Sequence, residues 1–600
     1  MKYKKNIIAV ALLSSGFGSY ANTAPNLPLV LKDPLTNQQW HLQNTGQSGF
    51  SLSNGKAGED MNIDFADRMG IKGRGITVSV IDTGVEISHP DLQPNVVPGS
   101  RNLIDGTDFP TDTHGHGTAV AGLIAAVEGN GMGGRGVAPY ANLIGFNFLD
   151  EQSMASWMLS HGLSEDFRAL DRFTDPRVFN QSYGNSPATP QRDAMDDPGF
   201  ALQQEIMQDI SLQSHWGRGA IYVKAAGNEY ESYDTYISGI PFYVLPRENG
   251  QYFNNNGLPF HNANISSENV SFWNMVVSAV NAKGEHSSYS SVGANVFLSA
   301  PGGEYGTNEP AMVTVDLVGC DKGFNVSGTH ANALHGGVDL DPNCQYTGVM
   351  NGTSSAAPNV AGAIATVMSA NPGLSARTVK HLLAQTARQV DASHAGVPLS
   401  FENAAGEMVS YDAVPGWQTN AAGYHFHNFY GLGMVNVDEA VYKALFTGVS
   451  LPALQVTPWR AQTAQVSIPD ASLDGAQSVM TLNEELTIEA VQLKVNIEHS
   501  RVRDLAIELT SPSGTRSVVL SPRTGFLAGS KGGFTDAVML SHHFYGENAQ
   551  GNWTLKVIDT DKGSSQTYIY NPSIGLFGYN KNNNSVPGVL KDWSLKIYGH

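Results

Sequence analysis

The chain has 600 residues, 41% of them hydrophobic and 15% charged, with 35 Lys plus Arg against 54 Asp plus Glu for a net charge of -19. This composition excludes a disordered chain, and the length calls for two or three domains, each able to bury a core. The acidic balance excludes a broad electrostatic attraction to nucleic acid or anionic lipid and is compatible with cation sites.

The chain opens MKYKKNIIAVALLSSGFGSYA, with Lys2, Lys4 and Lys5 ahead of an apolar run and small residues, Ser19 and Ala21, at the minus-three and minus-one positions of a cut. This pattern predicts a secretory signal peptide over 1–21 and a mature N-terminus at Asn22. No other segment reaches the roughly 18 uninterrupted apolar residues of a membrane span. A released protein without a membrane anchor is expected.

From about residue 70 to 445, short apolar runs alternate with helical patterns. GITVSVIDTG, ANLIGFNF, AIYVKAAGN and WNMVVSAVNA are continuous and rich in Val and Ile, as strands covered on both faces of a parallel sheet must be. HGTAVAGLIAAVEG, SSAAPNVAGAIATVMSANP and SARTVKHLLAQTARQV read as helices, the last with Ser375 as N-cap. Together they predict an α/β layer fold. Cys320 and Cys344 are the two cysteines of the chain. In an exported protein they can pair, closing a Gly- and Asn-rich loop for about 3 kcal/mol in the chain-entropy model. After about residue 450 the period changes to two. Val491, Leu493, Val495 and Ile497 alternate with polar residues, and DLAIELTSPSGTRSVVL, NWTLKVIDT and DWSLKIYGH repeat the alternation between turns. An antiparallel β sandwich with one buried face per sheet is expected there. The predicted division is 22–447 for the α/β domain, 448–458 for a linker containing Pro452 and Pro458, and 459–600 for the sandwich.

In VSVIDTGVEISHPDL, Asp82 follows a strand and precedes Thr-Gly. An aspartic protease would need a second such loop, because two carboxylates must share one proton, and the chain has no second Asp-Thr-Gly or Asp-Ser-Gly. The other use of such an aspartate is to orient a histidine beside a nucleophilic serine. That reading requires a histidine and a serine farther along, and both occur. His116 precedes Gly117-Thr118 at the opening of an Ala-rich helix. Ser354 follows Gly352-Thr353 and begins another helix, near the positive end of its dipole. Between them, VKAAGNE ends a strand at Gly227-Asn228 and offers a side-chain amide for an oxyanion. Each motif alone has a bland reading as a turn, cap or strand end; their order in one α/β domain makes coincidence unlikely to account for all four. A metal-dependent hydrolase built on His114, His116, His425 and His427 lacks a helical His-Glu-x-x-His, and His114 is read as an exposed neighbour of the base.

Asp82, His116 and Ser354 resemble the triad of the subtilisin family in that family's chain order. The resemblance implies a subtilisin-like parallel sheet and peptide-bond hydrolysis through an acyl-enzyme. In that chemistry Ser354 is the nucleophile, His116 the base, Asp82 its orienting group, and Asn228 with the Ser354 N–H the oxyanion site. A narrower resemblance, carried by DPLTNQQWHLQNTG, WQTNAAGYHFHNFYGLGMVNVDEAV and IEHSRVRDLAIELTSPSGT, is to the kexin and furin branch. It implies that the C-terminal sandwich is a jelly-roll-like P domain stabilising the catalytic domain; an independent adhesion module is the alternative for that sandwich. For the whole chain, the alternative to a serine endopeptidase is a catalytically silent binding or adhesion protein on the same scaffold.

The same resemblance implies a structural Ca²⁺ held by Asp33, Asp91, the Asn130 side chain and the carbonyls of Val127, Met132 and Gly134, an oxygen-only set of the kind that ion accepts. It places the first substrate pocket at Ser182, Tyr183 and Gly184, with Asp234 and Glu268 as the acids able to receive a basic residue. Elsewhere the acids of the branch are replaced. Thr83 stands where a second aspartate is expected, Thr113 three residues before His116, NSPATP after Gly184, and Trp157 and Met158 near the fourth subsite. A cation in a desolvated pocket needs a partner, so specificity broader than dibasic is expected, with some basic preference retained before the cut. About a dozen residues separate the predicted signal cut from Asp33, which leaves no room for an inhibitory pro-domain. Unassisted folding, or a separate chaperone protein, is the expectation. Ser355, where many subtilisins carry Met, implies reduced sensitivity to peroxide. The expected partners are protein or peptide substrates and that chaperone, with no nucleic acid, and the chain is expected to be a monomer.

Overall fold

The computed structural model of the protein describes residues 32–164, 174–185, 187, 191–231, 257–326, 331–524, 532–562 and 587–600, with only the backbone of short strands between 234 and 252 and between 565 and 582. The predicted signal peptide lies outside the described residues. Among the described residues no helix is long and apolar enough to cross a membrane.

The four apolar runs of the first half form strands as expected. β1 (Thr77–Ile81), β2 (Asn142–Phe146), β3 (Val178–Gln181), β4 (Ile221–Ala225), β5 (Asn274–Val280) and β6 (Leu298–Pro301) make a six-stranded sheet in the order β6-β5-β4-β3-β1-β2. Every neighbouring pair is parallel. β1, β4 and β5 are buried at every position, which is why their sequences are continuous instead of alternating.

Helix α1 (His116–Ala125) and helix α2 (Thr353–Ala370) cross this sheet and are buried along almost their whole length. Their Ala- and Gly-rich sequences permit the close approach. A Cβ at Gly117 would sit 2.0 Å from the Gly84 carbonyl and 2.9 Å from the Asp82 Cβ, so only glycine lets α1 start against the loop that follows β1. Helix α3 (Ala376–Thr386) begins at Ser375, whose hydroxyl accepts from the Thr378 N–H at 3.1 Å. It ends before the predicted Arg-Gln-Val because Arg388 exchanges two backbone hydrogen bonds with Met434, both 2.8 Å, and leaves helical geometry. Cys320 and Cys344 are disulfide-bonded.

The C-terminal region is two antiparallel sheets. One contains Arg460–Ile468, Ile488–Glu498, Gly533–Ser541 and Gly588–Gly599; the other contains Ala476–Leu482, Leu505–Thr510, Arg516–Leu520 and Gly551–Asp559. Trp553, Trp593, Val495 and Leu555 fill the space between them. Part of the sequence expected as linker joins the first sheet, since Gln455 and Val456 pair with Gly599 and Tyr598.

The expectation of one buried face per sheet fails at Ile488–Glu498. Val491, Leu493, Val495 and Ile497 enter the core as the alternation requires, but the intervening Ala490 and Gln492 are buried too. The reason is that this sheet's outer face covers the α/β domain. Gln492 Nε2 donates to the Val270 carbonyl at 2.7 Å, and Tyr598 stacks on Phe272 with ring centroids 4.2 Å apart. Asn264 reaches the Val519 and Leu540 carbonyls, each at 3.0 Å, and accepts from the Leu540 N–H at 2.8 Å. Asn420 donates to the carbonyls of His543 and Tyr545. Buried amides satisfied on the opposite domain make the join specific as well as apolar.

Candidate active site

Asp82 lies just beyond the end of β1 and is fully buried. Its Oδ1 accepts from the Thr83 N–H at 2.7 Å and contacts His116 Nδ1 at 2.7 Å. The carboxylate thus accepts a hydrogen bond from the Nδ1–H of the imidazole, which fixes that tautomer and leaves Nε2 as its basic atom. Burial works against protonation of His116, but the charges of Asp82 and Asp112 outweigh it and hold the imidazole pKa above the ordinary value.

The sequence reading passed over Asp112, although it stands four residues before His116. It is buried and organises the whole entry to α1. Its oxygens accept from the N–H groups of His114 (2.9 Å), Gly115 (2.8 Å) and Thr118 (3.0 Å) and from the hydroxyls of Thr83 (3.0 Å) and Thr118 (2.7 Å). Thr83 Oγ1 in turn accepts from the Gly117 N–H at 3.0 Å. The threonine that replaces a second aspartate therefore ties the Asp82 loop to the start of α1. His114 is exposed, as expected.

Ser354 occupies the first turn of α2, after Gly352, whose φ of 102° only glycine adopts without strain. Its hydroxyl donates to the Ser182 carbonyl at 3.1 Å, and the Ser182 hydroxyl donates to the Ser354 carbonyl at 2.9 Å. Asn228 follows β4. Its Oδ1 accepts from the Thr353 N–H at 2.8 Å and the Thr353 hydroxyl at 3.0 Å, which orients the amide so that Nδ2 faces an open cleft. That cleft, about 140 Å³, is lined by Tyr183, Gly184, Asn228, Asn269, Thr353 and Ser354, among others. An amide donor, the first turn of a helix and a serine hydroxyl therefore converge on one small space, and α1, whose first residue His116 is held by a buried carboxylate, packs against that helix. This is what stabilising an oxyanion next to a nucleophile requires.

The pocket residues are distributed unevenly. Tyr183 and Gly184 line the cleft, and Ser182 adjoins it through its two bonds to Ser354. Glu268 approaches from the turn before β5 but is not free: its Oε2 lies 2.7 Å from Lys224 Nζ. Lys224, on β4, was not singled out from sequence, where it reads as one polar residue in an apolar strand. The side chain of Asp234 and residues 186 and 188–190 of the wall lie outside the described residues. Trp157 is buried and stacks on His161 at 4.1 Å, so it supports the wall from behind.

Of the six residues expected as cation ligands, Asp33, Asp91, Val127, Asn130 and Met132 lie within one hydrogen-bonded loop system, and among the described residues no bond ties Gly134 to the two carboxylates. Asp33 accepts from the Gly129 N–H at 2.6 Å and the Gly131 N–H at 2.9 Å, and Asp91 Oδ1 accepts from Asn130 Nδ2 at 2.7 Å. The Val127 N–H donates to the Asp91 carbonyl at 2.9 Å, and Gln39 fastens the far end of the loop through both bonds to Arg135, 2.8 Å each. Asn130 turns its nitrogen to Asp91 while its oxygen accepts from the Met132 N–H at 2.9 Å, whereas a cation would require that oxygen. Asp91 Oδ2 is buried, with the Tyr346 hydroxyl as its neighbour. Burial pushes the Asp91 carboxyl up to about 7, and the Asp33 charge adds to the effect. Two neighbouring carboxylates, one of them buried, fit a hard cation. Among the described residues no three His, Cys, Asp or Glu side chains form a metal-holding group, so any such ion relies on amide and carbonyl oxygens as well.

Comparison with known proteins agrees with this picture. The pattern described as "Subtilase family" matches residues 73–433, and that described as "Proprotein convertase P-domain" matches 488–574. The "Aeromonas extracellular serine protease" of Aeromonas sobria is 43% identical over 95% of this chain and 91% of its own length, and the "Microbial serine proteinase" of Aeromonas salmonicida 39% over 94% and 91%. Human "Neuroendocrine convertase 2" is 26% identical, covering 95% of this chain and 74% of its own. The crystal structure of the Aeromonas sobria serine protease superposes with a TM-score of 0.87 at 41% identity, covering 95% of this chain and 96% of that one, and the same protease is known in complex with a chaperone. By domain match, identity and fold together, the chain belongs to the subtilase family of serine proteases and carries a proprotein convertase P-domain at its C-terminal end.

Proposed function

We propose that the protein is a secreted serine endopeptidase in which Ser354 is the nucleophile, His116 the general base and Asp82 its orienting carboxylate. The observations that carry this reading are the 2.7 Å contact from His116 Nδ1 to the buried Asp82 and the cleft that Asn228 and Ser354 line. Ser354 Oγ attacks the scissile carbonyl carbon and gives its proton to His116 Nε2. The oxyanion then accepts from Asn228 Nδ2 and from the Ser354 backbone N–H, a first-turn donor without an intrahelical acceptor. Return of the proton to the leaving amine completes the acyl-enzyme, and water attack by the same route releases it. In the free protein the Ser354 hydroxyl rests on Ser182, so the bond to His116 forms as substrate seats; such bonds commonly tighten only in the complex. A fluorophosphonate probe should label Ser354, as mapped by mass spectrometry, and labelling elsewhere would refute the assignment. Asn228→Ala should lower kcat by about 10²- to 10³-fold, because one oxyanion donor is lost; an unchanged kcat in peptide hydrolysis would remove Asn228 from that role.

The proposed domain division is 22–447 and 459–600, with 448–458 between them and a cleaved leader before. Export is supported by the extracellular Aeromonas sobria relative, and a separate folding chaperone by that protease's complex with one. Asp33, Asp91, Asn130 and the carbonyls of Val127, Met132 and Gly134 would hold one Ca²⁺, which neutralises the two carboxylates and clamps the loop. Chelation should then lower stability by about 2.7 kcal/mol for an ion present at ~100 times its Kd. Thermal denaturation with and without EGTA measures this; Asp91→Asn should be insensitive to the chelator, and equal sensitivity of variant and parent would move the ion elsewhere. The acids missing from the cleft walls favour a cleavage range broader than dibasic, in a monomeric enzyme acting on protein or peptide substrates.

A further inference from the structure

Lys224 is the one Lys, Arg, Asp or Glu side chain on the central strands β1 to β6, and it is fully buried against Tyr183, which lines the cleft. Its Nζ donates to the Tyr183 carbonyl at 2.5 Å, lies 2.7 Å from Glu268 Oε2 and sits 3.9 Å from the centre of the Tyr183 ring. The ammonium is therefore enclosed by a carbonyl, a carboxylate and an aromatic face, three groups that each favour a cation. The surrounding bonds hold this arrangement. Gln181 Nε2 donates to Asn274 Oδ1 at 3.0 Å, and Asn274 Nδ2 donates to the Glu268 carbonyl at 3.0 Å, which fixes the turn bearing Glu268 to β3. His161 Nε2 meets the Tyr183 hydroxyl at 3.1 Å and fixes the ring. Glu229, the other acid at the cleft, is engaged by the Asn228 N–H at 2.8 Å and the Ser291 hydroxyl at 3.3 Å.

We propose that Lys224 is a specificity-determining residue, an internal cation that occupies Glu268 and makes the first pocket of this protease electrically neutral. The inference rests on the reading of the Ser354 cleft as the peptidase site. A free carboxylate in a desolvated pocket selects Lys or Arg before the scissile bond, because only a cation restores the interactions it has lost. Here that position is taken from within. A substrate cation cannot displace Lys224 cheaply, since the lysine is anchored on β4 and would be left buried without an acceptor. Glu268 keeps its side chain 38% exposed, but the charge it presents to substrate is already balanced. Uncharged residues should therefore be accepted before the cut as readily as basic ones.

The test is kcat/KM on peptides that differ only in the residue before the cut, Arg, Leu or Glu, for the full-length mature protein and two variants. The parent should treat Arg and Leu within about 10-fold of each other. Lys224→Met keeps the stem and removes the charge. It should raise the Arg-to-Leu ratio by about 10- to 100-fold, the worth of one charge-assisted hydrogen bond. Glu268→Gln leaves Lys224 unbalanced, should raise the Glu-to-Leu ratio by about 10-fold, and remains informative where Lys224→Met does not fold. A purely structural role for the pair would lower all rates together and leave the ratios alone, which would overturn the proposal. So would a parent that prefers Arg by more than about 100-fold and loses that preference in Glu268→Gln, because Glu268 would then be serving substrate directly. A parent that cleaves no peptide at all would instead overturn the peptidase reading, and the pocket inference with it.

Discussion

Ser354→Ala is expected to lower kcat by about 10⁴- to 10⁶-fold with little change in KM, the size found when the nucleophile is removed from other serine proteases. The alanine deletes the attacking oxygen and nothing that positions substrate, since the Asn228 amide is held by Thr353 and not by the serine. Asp82→Asn should cost about 10⁴-fold by a different route: the amide in place of the carboxylate no longer favours the Nδ1–H tautomer of His116, and the imidazolium loses its counter-charge. The pH profile of kcat/KM in the parent reads the same site. Catalysis needs His116 neutral, and the Asp82 and Asp112 charges hold its pKa above the ordinary value against the effect of burial. The rate should therefore rise with pH through a midpoint above ~6.5, and Asp112→Asn should bring that midpoint down. Steady-state kinetics with active-site titration decides the matter. A Ser354→Ala protein retaining more than a few per cent of parental kcat would assign the chemistry to another nucleophile.

Glu489→Ala is expected to cost 3–5 kcal/mol, about the cost of breaking a buried ion pair by removing one partner. Glu489 is on the P-domain sheet and is buried. It pairs with Arg377 of α3 through both carboxylate oxygens, and its Oε1 lies 3.0 Å from His600 Nδ1. Arg377 also donates to the Pro452 carbonyl at 2.7 Å, so one guanidinium joins catalytic helix, connecting segment and C-terminal sheet. The alanine leaves this cation buried without its charge partner. Burial opposes ionisation of Glu489, but the hydrogen bond and charge of Arg377 and the bond from His600 outweigh it and hold the carboxyl below the ordinary range. A depressed carboxyl contributes stability that is fully present above its unfolded value of ~4.3 and is lost as the pH falls through the lower folded value. The parent should therefore lose this contribution only in acid, and the variant should lack it at neutral pH as well. Urea unfolding at pH 7 and below ~4 measures both. A loss under about 1 kcal/mol at pH 7 would mean that the domains are joined by their apolar contacts and buried asparagines alone.

The family's chemistry was legible because it is written locally. Asp82, His116, Asn228 and Ser354 each end a strand or begin a helix, and the glycines beside them are demanded by backbone geometry that any sequence with this fold must satisfy. The buried parallel strands were equally plain, since burial on both faces leaves no polar alternation to confuse the period. The orientation of the Asn130 amide, whose nitrogen faces Asp91, was not legible. What depended on residues distant in the chain was not visible. Asp112 looks like a loop aspartate until Thr83 and α1 close around it. Gln492 looks solvent-facing until the Val270 carbonyl accepts its hydrogen bond, and the alternation at 488–498 consequently predicted an open face that the catalytic domain covers.

Lys224 is the clearest case. Read in sequence, it is a polar interruption in an apolar strand, and Glu268, 44 positions later by number, is a free acid awaiting a basic substrate. By itself the sequence determined the fold class, the family and the presence of a β-rich C-terminal domain, because periodicity and short motifs encode backbone conformation directly. Only the tertiary structure decided which charges meet. Whether a carboxylate is free or paired depends on distances of a few ångströms between segments far apart in the sequence, as the 2.7 Å approach of Lys224 to Glu268 shows.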